Sequence, residues 1–214
     1  MKKTGIAVSA AIAAAIATAG PAMATTIDFN GVSSSGNPIL TTLTTQGFVF
    51  SSGHFHTVDN TGLCSFGGCV TGDGIYLAVD GPSLGFPIVM TKDGGGTFSL
   101  ASADLAQMWN DDAAAAAGGF PNAANIEMIG SNGDIVTLSG ASHSFQTQAA
   151  GGLLDNVTSV TFEGFGPADE ADWSFTLDNI VVGAATTPTP EPATLAILSA
   201  GLLGFGLVRR RSRS

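Results

Sequence analysis

Basic residues are nearly missing from the interior of this chain. Of seven, Lys2 and Lys3 stand at the start and Arg209, Arg210, Arg211 and Arg213 at the end, with Lys92 alone between. Sixteen of the seventeen acidic residues lie in that interior, which carries fifteen negative charges in excess when histidine is neutral. Nucleic acid is held largely through Lys and Arg on phosphate, so this balance excludes it as a partner. Nucleotide phosphates and anionic lipid are disfavoured for the same reason. The field suits divalent cations or plain extracellular solubility.

Recognisable catalytic signatures are also missing. There is no G-x-S-x-G, no H-E-x-x-H, no P-loop and no dinucleotide fingerprint. Cysteine is scarce as well: Cys64 and Cys69 are separated by Ser-Phe-Gly-Gly. In an oxidising compartment, where the two ends of the chain direct it, a disulfide is the first reading. It closes a very small loop and contributes about 2 kcal/mol. A metal site would need further ligands, and the spacing is not that of a zinc ribbon.

Both ends read as addresses. Lys2 and Lys3 precede the apolar run from Gly5 to Ala19, and Ala22-Met23-Ala24 fits a small-x-small cleavage site. Residues 1–24 are therefore expected to be a signal peptide, cut between Ala24 and Thr25. At the other end a Pro/Thr-rich linker, residues 185–192, leads into an uncharged stretch from Ala193 to Val208. Pro188, Pro190 and Pro192 keep the linker extended. As a helix, residues 193–208 span roughly 24 Å, slightly short for a hydrocarbon core of about 30 Å. The arginines of residues 209–214 place that end in the cytoplasm and the body outside.

Pro190-Glu191-Pro192, the short apolar span and the cluster Arg209, Arg210 and Arg211 together resemble the PEP-CTERM sorting domain of Gram-negative bacteria. The resemblance implies recognition by an exosortase, a membrane protease-transferase that cuts near the motif. It also implies a membrane-anchored intermediate, then delivery to the cell surface or extracellular matrix, in a setting of exopolysaccharide production and biofilm.

Between the addresses, residues 25–184 are enough for one domain with a real core. Short runs alternate with period two: Thr26–Phe29, Gly47–Ser51, Ile75–Val79, Thr97–Ala101, Asn125–Ile129, Asp134–Leu138, His143–Gln148 and Val157–Phe165. Phe86–Thr91 reads as a buried run. Ser131-Asn132-Gly133 predicts a hairpin turn. The last run, Trp173–Val182, shifts its apolar phase near Asp178-Asn179, which predicts a bulge. Residues 102–124 break the pattern. Asp104 and Gln107 have capping-box spacing, so one or two helical turns are expected there within a long surface loop.

Some ten short strands with almost no helix predict an all-β fold, a β-sandwich. The segments beginning Phe98-Ser-Leu-Ala, Ile126-Glu-Met-Ile, Val160-Thr-Phe-Glu and Phe175-Thr-Leu-Asp are similar to galactose-binding-like jelly rolls of carbohydrate-binding modules. That resemblance implies a jelly roll. It also implies a structural Ca2+ where the first and last strands meet; Asp28 in the first strand and Asp178 in the last are the candidate ligands, with a bulge residue capping its own backbone the other reading of Asp178.

Other candidate residues follow from their chemistry. Trp109, beside Asn110 and Asp111, and Tyr76 are the candidate aromatic platforms for a sugar, with partial burial the other reading of Trp109. Trp173 shares a face with Phe175 and Leu177 and is assigned to the core. His54 and His56 flank Phe55, share a strand face and have the chemistry to ligate a metal together, though near a strand end they read first as solvated side chains. Asp111, Asp112, Asp169, Glu170 and Asp172 are carboxylates of the kind a glycosidase uses, though as loop residues they read first as a solvated surface. The leading expectation is a non-catalytic exported protein that binds polysaccharide. The alternatives are an extracellular polysaccharide hydrolase and a purely structural surface protein.

Overall fold

A computed structural model describes residues 24–33, 38–59, 70, 74–79, 86–166 and 173–184. Strands make up more than half of the described chain, with one short helix. Its elements are β1 (Thr25–Ile27), β2 (Ile39–Thr45), β3 (Phe48–Val58), β4 (Tyr76–Val79), β5 (Ile88–Lys92), β6 (Phe98–Gln107), α1 (Asp112–Ala117), β7 (Asn125–Gly130), β8 (Ile135–Ser139), β9 (Gln146–Ala149), β10 (Ser159–Phe165) and β11 (Phe175–Ala184). The all-β expectation holds. The predicted signal peptide through Met23, the span 193–208, Cys64, Cys69, Asp169, Glu170 and Asp172 lie outside the described residues.

The strands form one hydrogen-bonded path, β8-β7-β10-β5-β3-β4-β11-β6-β9, with β1 on β11 and β2 on β3. Strand β3 is the hinge of this path. Its first residues, Phe48 to Ser51, pair with β5, and its last, His56 to Val58, pair with β4. The path folds back on itself there, so one apolar cluster gathers side chains from both halves. Phe50, Met90, Met128 and Phe162 come from one half; Leu77, Leu100, Phe175 and Leu177 come from the other. Phe48 and Phe98 meet edge to face at 5.2 Å between ring centroids, and Phe98 exchanges backbone hydrogen bonds with Val157. Burying each such phenyl contributes about 1.5–3 kcal/mol.

The β7–β8 hairpin forms as predicted, with Ile129 opposite Ile135. The bulge in β11 also forms: pairing with β6 shifts between Asp178 and Val181, and Asn179 sits at φ 43°. Asparagine tolerates this left-handed conformation better than most residues.

Two sequence expectations need correction. Strand β2 was not anticipated. Its apolar residues Leu40 and Leu43 stand three apart, because the β2–β3 register slips between Leu40 and Thr42. A two-residue turn, Gln46 at φ 46° and Gly47 at φ 80°, joins β2 to β3. This is the primed turn geometry favoured in hairpins, which glycine enters at no steric cost. The second correction concerns residues 102–107, expected to be helical. They continue β6, with Ala103 and Leu105 buried in the main core and Asp104 paired opposite Thr147 and Asp178. Tertiary pairing on both sides overrides the local capping-box signal. The helix lies further on, at Asp112–Ala117.

Candidate functional site

The half of the sheet containing β4, β11 and β6 is buried on both faces. Tyr76 to Val79 are all buried, as are Phe175 to Asp178. Leu77, Phe175 and Leu177 point into the main core, and the opposite face carries a second cluster: Val58, Val70, Tyr76, Ala78, Ala106, Met108, Trp109 and Ala115. Helix α1 and the segment around it cover this outer face. Tyr76 packs edge to face on Phe145 at 5.5 Å and donates its hydroxyl hydrogen bond to Val70 O at 2.8 Å. Burial, then the charges of Asp59 and Asp178, push its phenol well above the ordinary value of 10.0.

The cover is fastened by Asn122, which is only 6% exposed. Its Oδ1 accepts from the Trp109 N–H at 2.8 Å. Its Nδ2 donates to Trp109 O and to Asp112 Oδ1, both at 2.7 Å. Asn122 also bridges to Ser174 beside β11. The side-chain amide thus ties the segment after β6 to the start of α1, and the backbone on either side of it pairs with Ser174 beside β11. Gln107 adds a bond from Nε2 to Ala123 O at 3.1 Å.

A groove of about 280 Å³ opens beside this fastening, lined by Gln107, Asp112, Ala116, Pro121, Asn122, Ala124 and Trp173. The Asp112 Oδ1 also contacts His143 Nε2 at 3.2 Å. The Asn122 hydrogen bond is the largest effect holding the Asp112 carboxyl below the ordinary carboxylate range; desolvation comes next and opposes it, and the His143 hydrogen bond and charge lower it further. It is therefore an ionised acceptor at neutral pH. Its Oδ2 carries no protein hydrogen bond among the described residues. His143 meets a carboxylate here, and no hydroxyl nucleophile among the described residues is hydrogen-bonded to it. The groove therefore offers an ionised acceptor, the amide of Gln107 and an indole.

The two tryptophans stand differently from the sequence expectation. Trp109, expected as a platform, is 5% exposed and belongs to the second cluster. Tyr76, the other platform, is fully buried. Neither ring presents an open face. Trp173, assigned to the core, is only partly buried against it and lines the groove. The reason is positional: Trp173 precedes β11 and is not inside it, so its ring escapes the strand's alternation.

The first and last strands meet as β1 pairs with β11, and Ile27 opposite Ile180 puts the proposed calcium ligands Asp28 and Asp178 each within two residues of that pair. Asp28 lies just beyond β1, where its Oδ1 accepts from Gln46 Nε2 at 2.8 Å and from Asn30 N at 3.3 Å. The Gln46 bond is the largest of the effects that lower its acidity range. Asp178 is 2% exposed, and its Oδ1 accepts from the Asn179 N–H at 2.8 Å, satisfying the backbone of the bulge. The neighbouring Asp104 takes bonds from Thr147 Oγ1 at 2.5 Å and Asn179 Nδ2 at 3.0 Å. Among the described residues no three or more His, Cys, Asp or Glu side chains are grouped to hold a metal. Ala24 is exposed and β1 begins at Thr25.

Pro190, Glu191, Pro192, Arg209, Arg210 and Arg211 lie outside the described residues, and comparison with protein families addresses them directly. Residues 188–211 match the PEP-CTERM protein-sorting motif. No curated protein matches the chain. The motif marks an exported protein that is processed by an exosortase.

Proposed function

We propose that this chain is a non-catalytic exported protein of a Gram-negative bacterium, released from its membrane-anchored intermediate by an exosortase and displayed at the cell surface or in the extracellular matrix. The match at residues 188–211 carries this reading. The body is the displayed part: a β-sandwich of the jelly-roll kind that binds a neutral polysaccharide in the groove beside α1. Three features support that role. Trp173 supplies an indole to stack on a sugar ring, Gln107 an amide, and Asp112 an ionised acceptor for sugar hydroxyls. The acidic body disfavours uronic-acid polymers, because like charges repel across the interface.

Two experiments separate the sorting reading from the binding reading. Replacing Pro190, Glu191 and Pro192 by alanine leaves the protein in the membrane fraction if sorting is as proposed. Unchanged delivery to the surface contradicts it. An array of neutral and acidic glycans tests the groove. Neutral glycans bind, and Trp173→Ala weakens binding by about tenfold, or ~1.4 kcal/mol. Absence of binding to any glycan overturns the polysaccharide role and leaves the sorting assignment standing.

A further inference from the structure

Strand β3 carries a second chemical feature, away from the groove. His54 and His56 stand two apart on the strand and project from the same face. Their Nε2 atoms lie 3.0 Å apart, with ring planes at 70° to each other. Two imidazole nitrogens bound to one ion at about 2.1 Å each, and at a right angle, are separated by about 3.0 Å. The observed separation is thus the bite distance of a cis pair of histidine ligands.

The local backbone holds this arrangement. The histidines sit where β3 leaves β5 and takes up β4, at the slip in register between Leu40 and Thr42 of β2. The His54 N–H donates to Ser52 Oγ at 3.4 Å, and Ser52 Oγ donates to Phe86 O at 3.1 Å. Gly53 lets Phe86 lie directly on the strand: a Cβ there would sit 2.3 Å from the ring. Both histidines are half-buried, so an ion would reach them from solvent without unfolding the sandwich. The surrounding negative charge of the body raises the local cation concentration.

We propose that His54 and His56 form a bidentate site for a divalent first-row transition-metal ion. Imidazole nitrogen suits Zn2+, Ni2+ and Cu2+, and Cu2+ binds most tightly in the general order of these ions. Water completes the coordination, so the site exchanges its ion readily. In the metal-free protein one imidazole Nε2–H bridges to the other Nε2; on metal binding that ring takes its other tautomer, its proton passing through water to Nδ1, and both Nε2 atoms are then neutral donors to the ion.

The test uses the full chain, purified without a histidine tag and titrated with Cu2+ and Zn2+ in excess Mg2+. Magnesium occupies hard carboxylate sites and leaves imidazole free. One equivalent of Cu2+ binds, and its electron paramagnetic resonance spectrum shows two histidine nitrogens. His54→Ala and His56→Ala each weaken binding by at least about tenfold, the scale on which loss of even an outer ligand contact acts. His143→Gln leaves it unchanged. A spectrum with fewer than two histidine nitrogens overturns the proposal without relying on any variant. So does equal affinity in wild type and either alanine variant.

Discussion

The two halves of the sheet solve the same problem differently. In β7, β8 and β10, buried and solvent-facing residues alternate: Val136 and Leu138 go in, and Ile135, Thr137 and Ser139 stay out. In β4, β6 and β11 the outer face is covered too, and consecutive residues are buried. The difference shows where chemistry can gather. A bare outer face offers only solvated side chains. A covered one needs buried polar partners to anchor the cover, and those partners form the rim of a groove. Asn122, Gln107, Asp112 and Trp173 all belong to the covered half.

The largest effect is expected where the halves are alike, in the shared core. Phe162→Ala removes a fully buried phenyl and costs about 3–5 kcal/mol, read as a lower denaturant midpoint. On the bare face of the same half, Thr137→Ala stays within about 0.5 kcal/mol. Similar losses at the two positions would mean that the outer face of β7 and β8 is not solvated.

Asn122→Ala acts only through the covered half. It strips partners from the buried Trp109 backbone groups and costs about 1–3 kcal/mol. It also loosens α1, so amide exchange should rise around residues 108–122 and not in β7 or β8. Uniform exchange changes would show that the cover is not a separate fastening.

The smallest effect is the most specific. Tyr76 is the single tyrosine of the chain, buried in the covered face with its phenol raised above 10.0. A group whose proton is held more tightly in the folded state contributes stability that is full below its unfolded value and is lost as pH rises through the folded one. Stability therefore falls above about pH 10, and phenolate absorbance appears only with unfolding. Tyr76→Phe removes that alkaline slope at a cost of about 1 kcal/mol for the lost hydrogen bond. Phenolate absorbance near pH 10 in folded protein would place Tyr76 in contact with solvent.

The same contrast decides what the sequence makes legible. In the half with one bare face, period two is visible, and the β7–β8 hairpin and its turn are placed correctly from residues alone. The bulge at Asp178-Asn179 is visible as a phase change. In the covered half the alternation is blurred. Ala103, Leu105, Ala106 and Met108 are all buried, so β6 resembles the start of a helix. Strand β2 escapes notice because its register slip puts Leu40 and Leu43 three apart. Trp173 packs against the core as expected yet also lines the groove, and Trp109 is buried, because an indole's exposure depends on what covers it and sequence neighbours do not carry that information. Asn122 gives no signal at all: an asparagine after a proline reads as a loop residue, and only the fold brings it to Trp109 and Asp112. The sorting motif is legible because its match runs over consecutive residues, 188–211.

A tail that is a processed address on a displayed body leaves its mark at the C-terminus of the mature protein. The direct measurement is the intact mass of the mature protein from cells with and without the exosortase. A mass ending near Pro190-Glu191-Pro192 is expected when the enzyme is present and a longer species when it is absent. A mass that still includes Arg209 to Ser214 in both strains would contradict it and make the tail a plain anchor.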